Sequence, residues 1–247
     1  MERDRGSLRV AVLDVDGTLT VRRGSLLLSP EAVVAVRVLK CMGMIVSLVS
    51  GNSLPIVAGL SAYLGADIAI GENGCIALLE GEEEVHICKS RPPRWLVEEV
   101  LKLGFRESWQ NKFRVYDLAF YPPPGDLTGG LRRARKLALE NGFAASWSGY
   151  ALHIHPREGG KDRGVEAILE KLGLEWSNVL AVGDGDNDAV VLAKARMSIA
   201  LADASELAKR ASTVIARSTG GSGVLEALLE LAGFESYSEA LSRCGSL

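Results

Sequence analysis

The sequence predicts an α/β fold, a Rossmann-like doubly wound parallel sheet core with an inserted α+β cap domain. Three observations carry the prediction. Short, wholly apolar runs alternate with helix-length amphipathic segments at both ends of the chain, as expected of a parallel sheet covered on both faces. From about residue 82 the texture changes to an α+β pattern in which most of the aromatic residues gather, and at "REGG" (157–160) the first pattern resumes.

Taken in order, "RVAVLDV" (9–15), "MIVSLVS" (44–50) and "ADIAIG" (66–71) read as strands, separated by helices over "PEAVVAVRVLKCMG" (30–43) and "LPIVAGLSAYLG" (54–65). Ser29 before Pro30 is an N-cap followed by proline at the first helical position, and Gly43 and Gly65 stand where helices stop. "EGEEEV" (80–85) reads as a polar joint. After it come a helix (91–104), a strand (114–122), a second helix (126–142) and a hairpin turning at Ser148-Gly149. The returning half gives a helix (161–173), a strand "NVLAVGDG" (178–185), a helix (186–195), a strand "MSIALA" (197–202), a short helix near 204–210, a strand "STVIA" (212–216) and a helix (222–233). "STGGSG" (218–223) matches no Walker pattern and reads as a loop and helix start. The core is therefore expected to be discontinuous, 1–81 with 157–233, around a cap of 82–156. The tail, 234–247, carries no clear signal.

Composition narrows the function classes. The 247 residues are 47% apolar and 24% charged, which argues against disordered, collagenous and coiled-coil proteins. Net charge is −3 with scattered basic residues, so the footprint of a nucleic-acid binder is missing. No apolar run approaches the ~18 residues of a membrane span, and "MERDRGSLRV" lacks the apolar stretch of a signal peptide. Cys41, Cys75, Cys88 and Cys244 show no CxxC spacing. They are expected to be free thiols in a reducing cytoplasm.

Chemistry concentrates at strand ends. In an open parallel sheet, ligands bind beyond the carboxyl ends of the strands. "DVDGTLT" places Asp14 and Asp16 there, and "VGDGDNDA" supplies Asp184, Asp186 and Asp188 after another apolar strand. If both loops reach one crevice, each carboxylate pair at ~4 Å costs roughly 4 kcal/mol at an effective dielectric of ~20. Such a cluster calls for a cation, and all-oxygen ligands suit Mg²⁺ bound with a substrate phosphate. An EF-hand reading fails, because Ala189 and Ala195 stand where that loop needs glycine and glutamate.

"DVDGTLT", Ser50 in "LVSGN", Lys161 opening a helix and "GDGDND" occur in an order that resembles the haloacid dehalogenase superfamily of aspartate-nucleophile phosphatases. The insertion after "IGENG" is similar to its Cof-type branch, and the short cap most resembles the archaeal phosphoglycolate phosphatases. The resemblance implies Asp14 as nucleophile and Asp16 as general acid and base, its main-chain carbonyl also contacting the metal. It further implies Asp14, Asp16, Asp184 and Asp188 around Mg²⁺, with Thr18, Ser50, Gly51, Lys161 and Asn187 on the phosphate. Arg163 is a rival to Lys161, since glycine often follows the lysine in the family and Asp162 stands here. His153 and His155 share a strand face by the period of two and either line the substrate mouth or serve as a hinge pair. The implied partner is a small phosphorylated metabolite, best 2-phosphoglycolate and alternatively a sugar phosphate, handled by a monomer or homodimer. A phosphomutase and a non-catalytic phosphate-binding protein are the further alternatives.

Overall fold

The structure, a computed structural model, describes residues 7–80 and 82–244. In chain order the first half of the core contains β1 (Val10–Asp14), α1 (Pro30–Cys41), β2 (Ile45–Val49), α2 (Leu54–Leu64), β3 (Ile68–Gly71), β4 (Ile76–Leu79) and β5 (Glu83–His86). The insertion contains α3 (Arg94–Lys102), β6 (Arg106–Glu107), β7 (Leu118–Tyr121), α4 (Leu127–Glu140), β8 (Phe143–Trp147) and β9 (Leu152–Pro156). The chain returns through α5 (Lys161–Leu172), β10 (Val179–Gly183), α6 (Ala189–Lys194), β11 (Met197–Ala200), α7 (Glu206–Ala211), β12 (Val214–Ile215), α8 (Gly220–Ala232) and α9 (Tyr237–Cys244).

The large sheet has the order β12-β11-β10-β1-β2-β3-β4-β5. Its strands from β12 to β3 are parallel, so the carboxyl ends of β1, β2 and β10 lie side by side at one edge. All of β1 and β10 is buried, which is why these strands read as continuous apolar runs. Helix α1 begins where the sequence predicts: Ser29 Oγ accepts from the Glu31 amide, Pro30 opens the first turn, and Ala32, Ala35, Val36 and Leu39 are buried. The insertion builds its own antiparallel sheet, β6-β7-β9-β8, and its own core around Leu96, Val100, Phe105, Phe120, Leu152 and Ile154.

Besides the unread strands β4 and β6, the structure departs from the sequence reading in three places. The polar joint contains strand β5, antiparallel to β4, so the large sheet extends to His86; the exposed Glu83 and Glu84 are the charges that guard a sheet edge and disguise a strand as a linker. The tail forms α9 and buries Ala240 in the main core, with too few apolar positions to declare a period. The free-thiol expectation is overturned: Cys75 and Cys88 form a disulfide, and Cys41 is disulfide-bonded as well. The β4–β5 hairpin returns the chain to its start, where the amides of Ile87 and Cys88 both donate to the Cys75 carbonyl, and this closes the bridge. Bridged cysteines give no sign of a reducing compartment. No helix among the described residues is long and apolar enough to cross a membrane.

Candidate active site

The turn after β1 brings the first acid group into place. Gly17 has φ of +96°, and a Cβ there would lie 2.6 Å from the Asp184 carboxylate oxygens. Only glycine lets the β1 loop lie so close to the β10 loop. Thr18 Oγ1 donates to Asp184 Oδ1 at 3.1 Å, and Asp188 Oδ2 accepts from the amides of Asp184 and Gly185 at 3.1 and 2.8 Å. Carboxylate oxygens of Asp14, Asp184 and Asp188 all lie within 4.8 Å of one another, and all three residues are buried.

Two cations serve this cluster. Lys161 Nζ, at the first position of α5, donates to Asp14 Oδ1 at 2.5 Å and Asp188 Oδ1 at 2.6 Å. Arg23 Nε meets Asp184 Oδ2 at 2.8 Å. Burial first, then repulsion from Asp188, pushes the Asp14 carboxyl well above its ordinary range, although Lys161 opposes this. Asp184 is pushed up to about 6 by burial and Asp188, against Arg23 and Lys161. Burial disfavours a charged Lys161, but Asp14 and Asp188 hold its ammonium above the ordinary lysine range. Three buried carboxylates facing two cations leave a site of oxygen donors that resists full ionisation on its own, and a further hard cation relieves it. The residues fit a metal.

Asp16 stands apart from that cluster. Its carboxylate turns into the cavity mouth and accepts from Asn52 Nδ2 at 2.7 Å and Ser50 Oγ at 3.4 Å. The residue keeps solvent contact, yet the surrounding protein displaces enough water to raise its pKa, with Lys161, Asn52, Ser50 and His153 pulling the other way. Asp14 and Asp16 thus occupy unlike surroundings one residue apart, the first inside the carboxylate cluster and the second at the cavity mouth. Both line a cavity of about 690 Å³ between core and insertion, together with Gly51, Lys161 and Asn187.

The other expected phosphate ligands take different positions. The Thr18 hydroxyl is committed to Asp184, and Ser50 lies fully buried, accepting from the Asn52 amide at 3.0 Å. Arg163 pairs with Glu166 on the surface of α5. His153 lines the cavity. His155, though buried, turns its Nδ1 to the Pro156 carbonyl at 2.9 Å.

Several site residues escape sequence reasoning. Gln110 of the insertion donates through Nε2 to Asn52 Oδ1 at 2.8 Å and accepts from the Ser53 amide at 2.9 Å. Asp117 Oδ2 gathers His153 Nδ1 at 2.7 Å, Arg114 Nη1 at 3.0 Å and Asn73 Nδ2 at 3.0 Å. The buried Glu72 carboxylate accepts the amides of Val115, Tyr116 and Asp117. The one sequence signal was the pairing of His153 and His155 on a strand that rejoins the core.

Residues 126–228 match a family model described as haloacid dehalogenase-like hydrolase. The chain is 48% identical to a phosphoglycolate phosphatase of Aeropyrum pernix over 229 residues, covering 92% of this chain and 95% of that protein. It is 34% identical to a phosphoglycolate phosphatase of Metallosphaera sedula, covering 89% and 96%. A crystal structure of a Thermoplasma acidophilum protein superposes with a TM-score of 0.82 at 28% identity, covering 92% of this chain and 99% of that one.

Proposed function

The chain belongs to the haloacid dehalogenase-like hydrolase family, and from that premise we propose that it is a Mg²⁺-dependent phosphatase that converts 2-phosphoglycolate to glycolate and phosphate. The observation that carries the reading is Asp14: a buried carboxylate at the end of β1, bound by Lys161 and flanked by Asp184 and Asp188, that also faces the cavity. In the first step an Asp14 oxygen forms a bond to phosphorus as the ester P–O bond breaks, while Asp16 gives its proton to the leaving oxygen. In the second step Asp16 takes a proton from water, the water oxygen bonds to phosphorus, and the Asp14–phosphorus bond breaks. Lys161 donates to phosphate oxygens as charge spreads over them, and Gly51 and Asn187 border the same space. Ser50 and Thr18 act one contact back, through Asp16 and Asp184.

The carboxylates of Asp14, Asp184 and Asp188, with the main-chain carbonyl of Asp16, would hold Mg²⁺, which when bound neutralises the repulsion between Asp14 and an anionic phosphate. The inserted unit serves as a cap that excludes water. A second reading, a sugar-phosphate phosphatase, draws support from the cavity: about 690 Å³, partly lined by Leu26, Ile56, Leu60 and Trp109, is roomier than a two-carbon ester needs.

Phosphate release from 2-phosphoglycolate, sugar phosphates and an aryl phosphate, with Mg²⁺ and with chelator, tests the proposal. The expected result is chelator-sensitive turnover with the highest kcat/KM for 2-phosphoglycolate. A higher kcat/KM for a sugar phosphate would keep the mechanism and reject the substrate; Mg²⁺-independent turnover would reject the metal.

A further inference from the structure

A substrate carrying a carboxylate beside its phosphate needs two anion sites, and the core provides for one. Among the described residues, four basic side chains line the cavity: Arg23, Arg114, His153 and Lys161. Lys161 is held by Asp14 and Asp188 in the phosphate region. Arg114 is bound through Nη1 to Asp117 and through Nη2 to Gln110. Arg23 bonds through Nε to Asp184 at the half-exposed rim. His153 is only 4% exposed, its one side-chain hydrogen bond among the described residues runs between Nδ1 and Asp117, and the ring borders the cavity, so Nε2 is left for a ligand; Arg114 Nε also lacks a partner among the described residues, but that atom is shut away from solvent.

The placement of that ring is specific. A Cβ built on Gly51 would lie 3.1 Å from His153 Cε1, so a residue of the insertion packs its imidazole against the loop that follows Ser50. That loop also carries Asn52, the partner of Asp16. The ring therefore stands beside the acid-base group, where the carbon end of a bound phosphoester emerges. With Nδ1–H committed to Asp117, Nε2 is the ring nitrogen left to face a ligand, and as an imidazolium the ring donates Nε2–H to a carboxylate. Asp117 in turn is fixed by Arg114 and Asn73, so the ring plane is set from behind.

Resting on the phosphoglycolate reading above, we infer that His153, oriented by Asp117, is the specificity-determining residue that binds the substrate carboxylate through Nε2. Asp117 is a positioning residue in this arrangement. The pair gives preference to short phosphoesters with a carboxylate on the carbon next to the ester oxygen.

The test compares 2-phosphoglycolate with phenyl phosphate in the wild type, His153→Asn and His153→Gln. Asparagine places its amide near the position of Nδ1 and keeps the link to Asp117 without reaching the cavity, whereas glutamine places its amide near the position of Nε2. His153→Asn is expected to raise KM for 2-phosphoglycolate roughly 10- to 100-fold, the loss of one hydrogen bond between charged groups, with kcat and the phenyl phosphate kinetics nearly unchanged. His153→Gln is expected to recover part of the affinity. Equal losses on both substrates, or no loss on either, would overturn the inference. A wild type with no preference for 2-phosphoglycolate would overturn the substrate reading and this inference with it; a wild-type preference that survives in His153→Asn would overturn this inference alone.

Discussion

Replacing Asp117 by asparagine removes a charge from the centre of the contact between core and cap. The residue is fully buried, and its Oδ2 accepts from His153, Arg114 and Asn73 at 2.7, 3.0 and 3.0 Å. Burial alone would raise its pKa, but His153 and Arg114 outweigh it and hold the carboxyl at about 2, against an ordinary 3.8. A depression of that size corresponds to about 2–3 kcal/mol of stability at neutral pH. Because the folded-state pKa is the lower one, this stability is present above the ordinary value and is lost as pH falls from about 4 through about 2. In Asp117→Asn the charge of Arg114, 4% exposed, loses its buried counter-ion. The new amide nitrogen also takes the place of Oδ1, which has no partner among the described residues. Removing one member of a buried pair costs about 3–5 kcal/mol, which for a chain of this length lowers the apparent Tm by roughly 6–20 °C. Thermal unfolding of both proteins from pH 7 downward is the assay. The expected result is a large gap at pH 7 that narrows as the wild-type carboxylate is protonated near pH 2. A gap below about 2 °C at pH 7, or one that does not narrow in acid, would refute the assignment of Asp117 as the ionised centre of this contact.

Two further outcomes follow from the same geometry. Gln110→Ala releases Asn52, and with it the orientation of Asp16; kcat is expected to fall roughly 10- to 100-fold with a smaller change in KM, and unchanged kcat in steady-state kinetics would remove Gln110 from the site. Replacing Cys75 and Cys88 by serine opens a bridge with a sequence separation of 13 and is expected to cost about 2–4 kcal/mol, read from denaturant unfolding without reductant; an unchanged midpoint would show that the bridge adds nothing to stability.

What the sequence made legible shares one physical origin. Strands buried on both faces have to be apolar throughout, so β1, β2, β3, β10 and β11 announce themselves, and in a parallel sheet their ends share an edge. Asp14, Asp184 and Asp188 therefore meet as their positions after apolar runs imply. Residues that work through single polar contacts across long separations leave no such trace. Asn52 meets Gln110 58 residues away, and Thr18 meets Asp184 across 166; neither pairing imposes a period or a spacing. Arg23 lies in a turn with no regular pattern, and its role depends on where Asp184 comes to rest. The β4–β5 hairpin was hidden for the opposite reason, since an exposed edge favours the charges that a linker also carries.

The turn that follows β3 explains how the insertion and the chemistry are joined. Glu72 and Asn73 both adopt φ of +52°, a left-handed conformation that costs a non-glycine residue about 1–2 kcal/mol. That cost is offset by what the two side chains then reach. Glu72 accepts three consecutive amides at 115–117, and this clamps the strand-leading segment of the cap. Asn73 donates to Asp117 and sits 3.5 Å from the amide of Asn187, in the loop that carries Asp188. Gly74, next in the chain, approaches the start of α5 so closely that a Cβ would lie 2.0 Å from the Gly160 carbonyl oxygen; α5 opens with Lys161. One turn of three residues thus fixes the cap, the aspartate behind His153, the β10 loop and the helix that presents the lysine. The cap thus touches the core site at two places, at Asp16 through Gln110 and Asn52 and at the β10 loop through Asp117 and Asn73, so the position of the cap and the placement of these side chains are set by the same contacts.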